Sequence, residues 1–134
     1  MKKLRTIYLV DDDEGINFLN KAILSRLQLA EEVVAFRDPT QAIESLKTAI
    51  SQGNPPELIF LDINMPLMDG WEFVESYSKI EMTSAAKPVI VMLSSSIDPA
   101  DEKKANSISQ ISAFKSKPLT FDTAHEIVNG YFKD

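Results

Sequence analysis

Three aspartates follow two apolar runs in this sequence. Asp11 and Asp12 come directly after residues 6–10, and Asp62 comes directly after residues 58–61. A charge deep inside a buried strand costs on the order of several kcal/mol, so we expect all three carboxylates at strand ends that face a crevice. Carboxylates at such short distances from one another raise one another's pKa or recruit a cation. Oxygen ligands without histidine or cysteine nearby favour Mg²⁺, with waters completing its coordination shell.

A serine and a lysine supply groups that complement these carboxylates. Ser94 follows the apolar run 88–93, and Lys117 lies just beyond residues 111–115. A dianionic phosphoryl group can bind against a metal ion, an ammonium group and a hydroxyl group, and a carboxylate can act as its nucleophile. The residue types therefore favour Mg²⁺-dependent phosphoryl transfer.

The elements that must position these groups alternate along the chain. Runs of strand length are followed by segments with helical spacing, five times at about 25 residues per unit. Asp38 and Asp69 are expected to begin the second and third helices. The run 99–110 is mostly polar, which predicts an exposed and weakly held fourth helix. The first helix is expected to bury Ile16, Leu19, Ile23, Leu24 and Leu27, and the last helix Ala124, Ile127, Val128 and Tyr131.

This alternation is typical of an α/β fold with a parallel sheet and helices on both faces. In open sheets of this kind, ligands bind beyond the carboxyl ends of the strands. Asp11, Asp12, Asp62, Ser94 and Lys117 all follow predicted strands. We therefore expect these five residues to form one shared site.

The composition limits the class of protein. The chain has 134 residues, 44% of them hydrophobic, which suits a single domain with one core. It has no cysteine for disulfides or thiolate metal sites, and no apolar run approaches the roughly 20 residues of a membrane span. The net charge of −6 argues against duplex DNA as a partner. We expect a cytoplasmic protein that is not inserted in a membrane.

The chain resembles the receiver domains of response regulators in two-component signalling, and in particular the free-standing, chemotaxis-type regulators. The resemblance rests on the acidic pair after the first strand, on Asp62 with Met65–Pro66 and Asp69–Gly70 beyond it, on the hydroxyl group after strand four, and on Lys117–Pro118 after strand five. It implies a flavodoxin-like (βα)5 three-layer sandwich with strand order 2-1-3-4-5. It also implies a single receiver domain over residues 1–134 without an output domain.

The resemblance also implies roles for the acidic residues. Asp62 resembles the phosphoacceptor, which receives a phosphoryl group from a histidine kinase or a histidine phosphotransfer protein. Asp12 resembles a direct Mg²⁺ ligand, Asp11 a ligand that acts through bound water, and Asn64 a residue whose backbone carbonyl binds the metal. The chain is then not an enzyme, apart from Mg²⁺-dependent phosphorylation and dephosphorylation of itself.

Three further residues take their roles from the same resemblance. Lys117 would pair with the phosphoryl oxygens, and the peptide bond to the proline after it is usually cis in the family. Ser94 takes the place of the switch hydroxyl, and Phe114 that of the switch aromatic. Ser94 and Phe114 together would change a surface that binds a downstream protein of unknown identity.

Several alternatives remain open from the sequence. Asp13 adds a third acid to the first loop, so the acidic pair and its metal site could shift by one residue, and Ser95 and Ser96 make the switch position ambiguous. A phosphohydrolase of the haloacid dehalogenase type would use Asp11 as its nucleophile and Asp13 in an Asp-x-Asp motif. A phosphorelay intermediate without a conformational output and a receiver domain that acts as a scaffold are two further alternatives.

Overall fold

The computed structural model describes residues 3–80, 87–95 and 98–132, and within them strands and helices alternate as predicted. The strands are β1 (Leu4–Val10), β2 (Ala30–Phe36), β3 (Leu58–Asp62), β4 (Val89–Ser94) and β5 (Ala113–Ser116). The helices are α1 (Glu14–Arg26), α2 (Pro39–Ser51), α3 (Gly70–Ser78), α4 (Pro99–Ser107) and α5 (Phe121–Tyr131).

The strands form one parallel sheet in the order β2-β1-β3-β4-β5. Side chains of the central strand β3 alternate between two apolar cores, with Ile59 and Leu61 on one face and Leu58 and Phe60 on the other. Helices α2, α3 and α4 contribute to the first core, and α1 and α5 contribute to the second. The predicted three-layer fold and its strand order are confirmed.

Local sequence signals mark the starts of α2 and α3. Asp38 caps α2 immediately before Pro39, and Asp69 forms a reciprocal capping box with Glu72 at the start of α3. Gly70 lies against the end of β3, since a Cβ atom there would stand 2.7 Å from the carbonyl oxygen of Asp62. A side chain at this position would push α3 away from the carboxyl end of the central strand.

The buried face of α1 differs from the predicted apolar stripe. Leu24 is buried as expected, but Leu19 is 56% exposed, and the asparagines Asn17 and Asn20 are buried in its stead. The helix turns this polar face inward because Asn17 bonds to carbonyl groups at the ends of β1 and β2. Polar residues can lie inside when they find hydrogen-bond partners, which the periodicity of apolar residues does not reveal.

Two further differences concern α5 and β2. Tyr131 is 45% exposed rather than buried, and its hydroxyl group donates a hydrogen bond to the carbonyl oxygen of Ser112 at 2.8 Å. Strand β2 begins at Ala30, before its apolar residues 33–36, because parallel pairing with β1 extends over two exposed glutamates.

Helix α4 is held weakly, as its polar sequence predicted. Ala105 is the one residue of α4 that is buried. The Lys104 ammonium group lies 4.5 Å from the centre of the Trp71 ring, a cation–π contact that joins α4 to α3. Within the described part of the chain, no helix combines the length and the apolar character that crossing a membrane requires.

Candidate functional site

The carboxyl ends of β1, β3 and β5 bring three of the predicted residues into direct contact. The Lys117 Nζ atom lies 2.7 Å from Asp11 Oδ2 and 2.9 Å from Asp62 Oδ1. Asp11 and Asp62 are 5% and 6% exposed, so this bridge is largely shielded from water. One ammonium group thus pairs with two carboxylates that come from different parts of the chain and offsets one of their two negative charges.

Asp12 completes a group of three carboxylates. One oxygen atom from each of Asp11, Asp12 and Asp62 lies within 4.8 Å of the others. Asp12 is partly exposed and, among the described residues, its carboxylate has no hydrogen-bond partner. Oxygen donors are the ligands that Mg²⁺ prefers, and three carboxylates against one ammonium leave negative charge to neutralise. The donor set fits a Mg²⁺ ion.

These residues line an open crevice of about 470 Å³. Its wall includes Asn64 from the loop after β3, Ile16 from α1 and Pro118 from the loop after β5. The crevice is therefore open to solvent, and carboxylates and an ammonium group form its floor.

Burial and neighbouring charge change the proton affinity of Asp62. Burial raises the pKa of the Asp62 carboxyl above its ordinary value of 3.8, and the negative charges of Asp11 and Asp12 raise it further. The Lys117 ammonium group opposes these effects without cancelling them. The ionised form of Asp62 is therefore less favourable in the folded protein than in water.

The two carboxylates affect Lys117 in the complementary direction. Burial alone would lower the pKa of Lys117, but hydrogen bonds and charge from Asp11 and Asp62 outweigh it, so the pKa lies above 10.5. Lys117 therefore keeps its positive charge at neutral pH.

Asp13 is occupied as the N-cap of α1. Its Oδ1 atom accepts hydrogen bonds from the backbone N–H groups of Gly15 at 2.8 Å and Ile16 at 3.2 Å. Its own backbone N–H donates to Asp11 Oδ1 at 2.9 Å. Asp13 stands outside the group of three carboxylates, so the geometry favours Asp11 and Asp12 as the acidic pair.

Ser94 and Phe114 lie on β4 and β5, and neither is among the described residues that line the crevice. Ser94 is 2% exposed at the end of β4, where its carbonyl oxygen accepts a hydrogen bond from the backbone N–H of Lys117 at 2.7 Å. Ser95, rather than Ser94, lines the crevice, and Ser96 lies outside the described residues. Phe114 is partly buried against the core beneath α2, α3 and α4. The Lys117–Pro118 peptide bond is cis.

Two residues at this edge of the sheet were not predicted. The Asn17 side-chain amide donates to the carbonyl oxygen of Asp11, and Arg37 Nε donates to that of Asp12 at 3.3 Å. The sequence does hold a signal for Asn17, since positions 17, 20 and 24 share one helical face. No comparable signal marks Arg37, which is mostly exposed.

Comparisons with known proteins agree with this geometry. The chain is similar to a two-component response regulator from Cytophaga hutchinsonii, whose crystal structure superposes with a TM-score of 0.90 at 32% identity and covers 99% of this chain and 100% of that one. A response regulator receiver protein from Dyadobacter fermentans is 26% identical, with a TM-score of 0.85 and coverage of 97% and 99%.

A longer relative matches over part of its length. Histidine kinase 1 from Arabidopsis thaliana is 26% identical over 110 residues, which are 81% of this chain and 9% of the kinase. The sequence profile of the response regulator receiver domain matches residues 7–129. These matches favour a receiver domain over a phosphohydrolase of the haloacid dehalogenase type. The chain belongs to the family of response regulator receiver domains.

Proposed function

We propose that Asp62 accepts a phosphoryl group from a phosphohistidine of a kinase or phosphotransfer protein, in a Mg²⁺-dependent reaction. The observation that carries this proposal is the bridge from Lys117 to Asp11 and Asp62, with Asp12 beside it. It presents an ionisable carboxylate and a fixed cation on the floor of one crevice.

The transfer needs little beyond positioning and charge. An oxygen atom of the ionised Asp62 carboxylate forms a bond to phosphorus, and the phosphorus–nitrogen bond to the donor imidazole breaks and leaves its electron pair on nitrogen. The product is an acyl phosphate. Lys117 stays protonated and neutralises charge on the phosphoryl oxygens. Asp62 acts in its ionised form because a protonated carboxyl group is a poor nucleophile.

Asp11, Asp12 and Asp62, with the backbone carbonyl of Asn64, would hold the Mg²⁺ ion. When bound, the ion supplies the positive charge that offsets both the three carboxylates and the incoming phosphoryl group. Asp12 is the best direct ligand of the three, since its carboxylate is the one without a hydrogen-bond partner among the described residues.

Apolar residues at the rim of the crevice support the proposal that the phosphoryl donor is a protein. Ile16 and Pro118 form apolar parts of this rim, and Leu19 lies one turn beyond Ile16 on α1, 56% exposed. Apolar side chains around a polar crevice suit contact with another folded protein. A sensor histidine kinase or a histidine phosphotransfer protein would approach from this side.

Labelling with acetyl phosphate tests the nucleophile. Wild type with Mg²⁺ is expected to gain one base-labile phosphoryl group, located at Asp62 by peptide mass spectrometry. Asp62→Asn should remove this label, because an amide does not attack phosphorus. Asp13→Asn is the matched control, since asparagine caps a helix as aspartate does. Full labelling of Asp62→Asn would disprove the assignment.

We further propose that phosphorylation switches a protein-binding surface through Ser94 and Phe114. A phosphoryl group brings about two negative charges and three acceptor oxygens, which attract a hydroxyl donor. The weak packing of α4 supports a change there, because mobile elements are drawn from the least stable parts of a fold. The partner of this surface is an unknown downstream protein.

Beryllofluoride with Mg²⁺ provides the test of this switch by NMR. Wild type and Ser95→Ala should show chemical-shift changes that extend from Asp62 to Phe114 and α4, whereas in Ser94→Ala they should stay local. A reversed order of the two serine variants would assign the switch to Ser95. Changes confined to Asp62 in wild type would instead favour a phosphorelay intermediate without a conformational output.

The prediction of a single receiver domain without an output domain stays a prediction. The mass of the native protein, isolated from cells, would test it.

A further inference from the structure

Asn17 is a buried asparagine on α1 that lies outside the crevice but contacts the loop carrying two of its carboxylates. The residue is 4% exposed. Its Nδ2 group donates hydrogen bonds to the main-chain carbonyl oxygens of Asp11, at 2.8 Å, and Phe36, at 3.3 Å. One amide group therefore ties the end of β1 to the end of β2.

We propose that Asn17 is a positioning residue that fixes the peptide group between Asp11 and Asp12, and thereby places the Asp12 carboxylate to bind a divalent cation. The inference rests on the proposed function, since it concerns the same cation site. It assigns a role in that site to a side chain that does not touch the cation.

The main chain on both sides of Asp12 is held from outside the loop. The carbonyl oxygen of Asp11 accepts a hydrogen bond from Asn17, and that of Asp12 accepts one from Arg37 Nε at 3.3 Å. The Asp12 carboxylate itself has no such partner among the described residues. Its position is therefore set through its backbone. Of the two supports, Asn17 is the more rigid, because Arg37 is 65% exposed.

Packing alone does not explain an asparagine at this position. Its Oδ1 atom is buried without a hydrogen-bond partner among the described residues. A buried acceptor without a partner is unfavourable, so an apolar side chain of similar size would fill the same space at a lower desolvation cost. What the asparagine supplies, and leucine lacks, is the Nδ2 group that donates to Asp11 in the acidic loop and to Phe36 at the end of β2.

Asn20 offers a matched control. It lies on the same helix and is also 4% exposed, and no hydrogen bond joins it to the acidic loop in the described structure. Asn17→Leu and Asn20→Leu thus make the same chemical change at equal burial. If Asn17→Leu does not fold, Asn17→Ser replaces it, with Asn20→Ser as its control.

Mg²⁺ titration by isothermal calorimetry at pH 7 and fixed ionic strength provides the main measurement. We expect Asn17→Leu to bind Mg²⁺ roughly tenfold more weakly than wild type, as is typical when a support of a metal ligand is lost. Asn20→Leu should bind like wild type. A second measurement needs no metal: the backbone amides of Asp12 and Asp13 should exchange hydrogen faster in Asn17→Leu.

The outcomes separate this inference from the proposed function. Equal Mg²⁺ affinity in wild type and Asn17→Leu, or an equal loss in both leucine variants, overturns the role of Asn17 and leaves the cation site intact. A wild-type protein that binds no Mg²⁺ overturns the proposed function itself.

Discussion

The Asp62 carboxyl group has a pKa above its ordinary value, which links the stability of the fold to pH. In the unfolded chain it loses its proton near pH 3.8, whereas the folded protein holds the proton to higher pH. Between these values the folded state binds more protons, so the free energy of unfolding falls as pH rises. At neutral pH the ionised Asp62 therefore destabilises the metal-free fold.

Asp62→Asn should accordingly raise the free energy of unfolding at pH 7 in Mg²⁺-free buffer. The advantage should shrink as pH falls and disappear well below 3.8, where Asp62 is protonated in both states. Chemical denaturation at several pH values measures this. Asp38→Asn is a control of opposite sign, because its hydrogen bond from the Thr40 hydroxyl group, at 2.6 Å, lowers the pKa of Asp38. A less stable Asp62→Asn protein at pH 7 would contradict the argument.

The end of α2 requires a backbone conformation that L-residues adopt at a cost. Gly53 has a φ of +73°, its N–H group donates to the carbonyl oxygen of Ile50, and Asn54 N–H donates to that of Ala49. These bonds close the helix with a residue in the left-handed region. Gly130 in α5, by contrast, has helical geometry and, like Gly53, open space where a Cβ atom would lie.

Gly→Ala substitutions at these two positions should have opposite effects. Gly53→Ala is expected to lower the free energy of unfolding by about 1 kcal/mol, because alanine disfavours positive φ. Gly130→Ala should raise it by about 0.5 kcal/mol, since alanine is the better helix former. Thermal and urea unfolding of both variants measure the difference. Effects of the same sign would contradict the argument from backbone conformation, since both positions have open space for a Cβ atom.

At the level of elements, the sequence was sufficient to predict those strands and helix starts that local patterns determine. Apolar runs predicted β3 and β4, and Asp69–Gly70 predicted the start of α3. The buried face of α1 does not follow from the periodicity of apolar residues, because Asn17 bonds to carbonyl groups that α1 meets only after the sheet has formed. The candidate site was predictable as a group, since parallel strands place their carboxyl ends at one edge. The two-sided bridge of Lys117 depends on tertiary distances.

For the whole molecule, the crevice carries a charge imbalance that Mg²⁺ should relieve. A cation that binds the folded state alone adds RT ln(1 + [L]/Kd) to stability, about 2.7 kcal/mol at a hundredfold excess over Kd. Without Mg²⁺ the three carboxylates repel one another, so removing one of them should stabilise the fold.

Asp12→Ala should therefore be more stable than wild type without Mg²⁺ and gain no stability when Mg²⁺ is added. Glu32→Ala on β2 removes one negative charge from an exposed position outside the crevice and should keep the full gain. Thermal unfolding with EDTA and over a Mg²⁺ series makes the comparison. An Asp12→Ala protein that gains as much from Mg²⁺ as wild type would remove Asp12 from the site.

The separation of 106 residues between Asp11 and Lys117 has a consequence for synthesis on the ribosome. Asp11 and Asp62 emerge first, and Lys117, which pairs with both, is translated near the end of the domain. A nascent or prematurely terminated chain that lacks Lys117 carries Asp62, the proposed phosphoryl acceptor, without the cation that pairs with it. We therefore expect incomplete products neither to take up a phosphoryl group nor to compete with finished molecules for the donor.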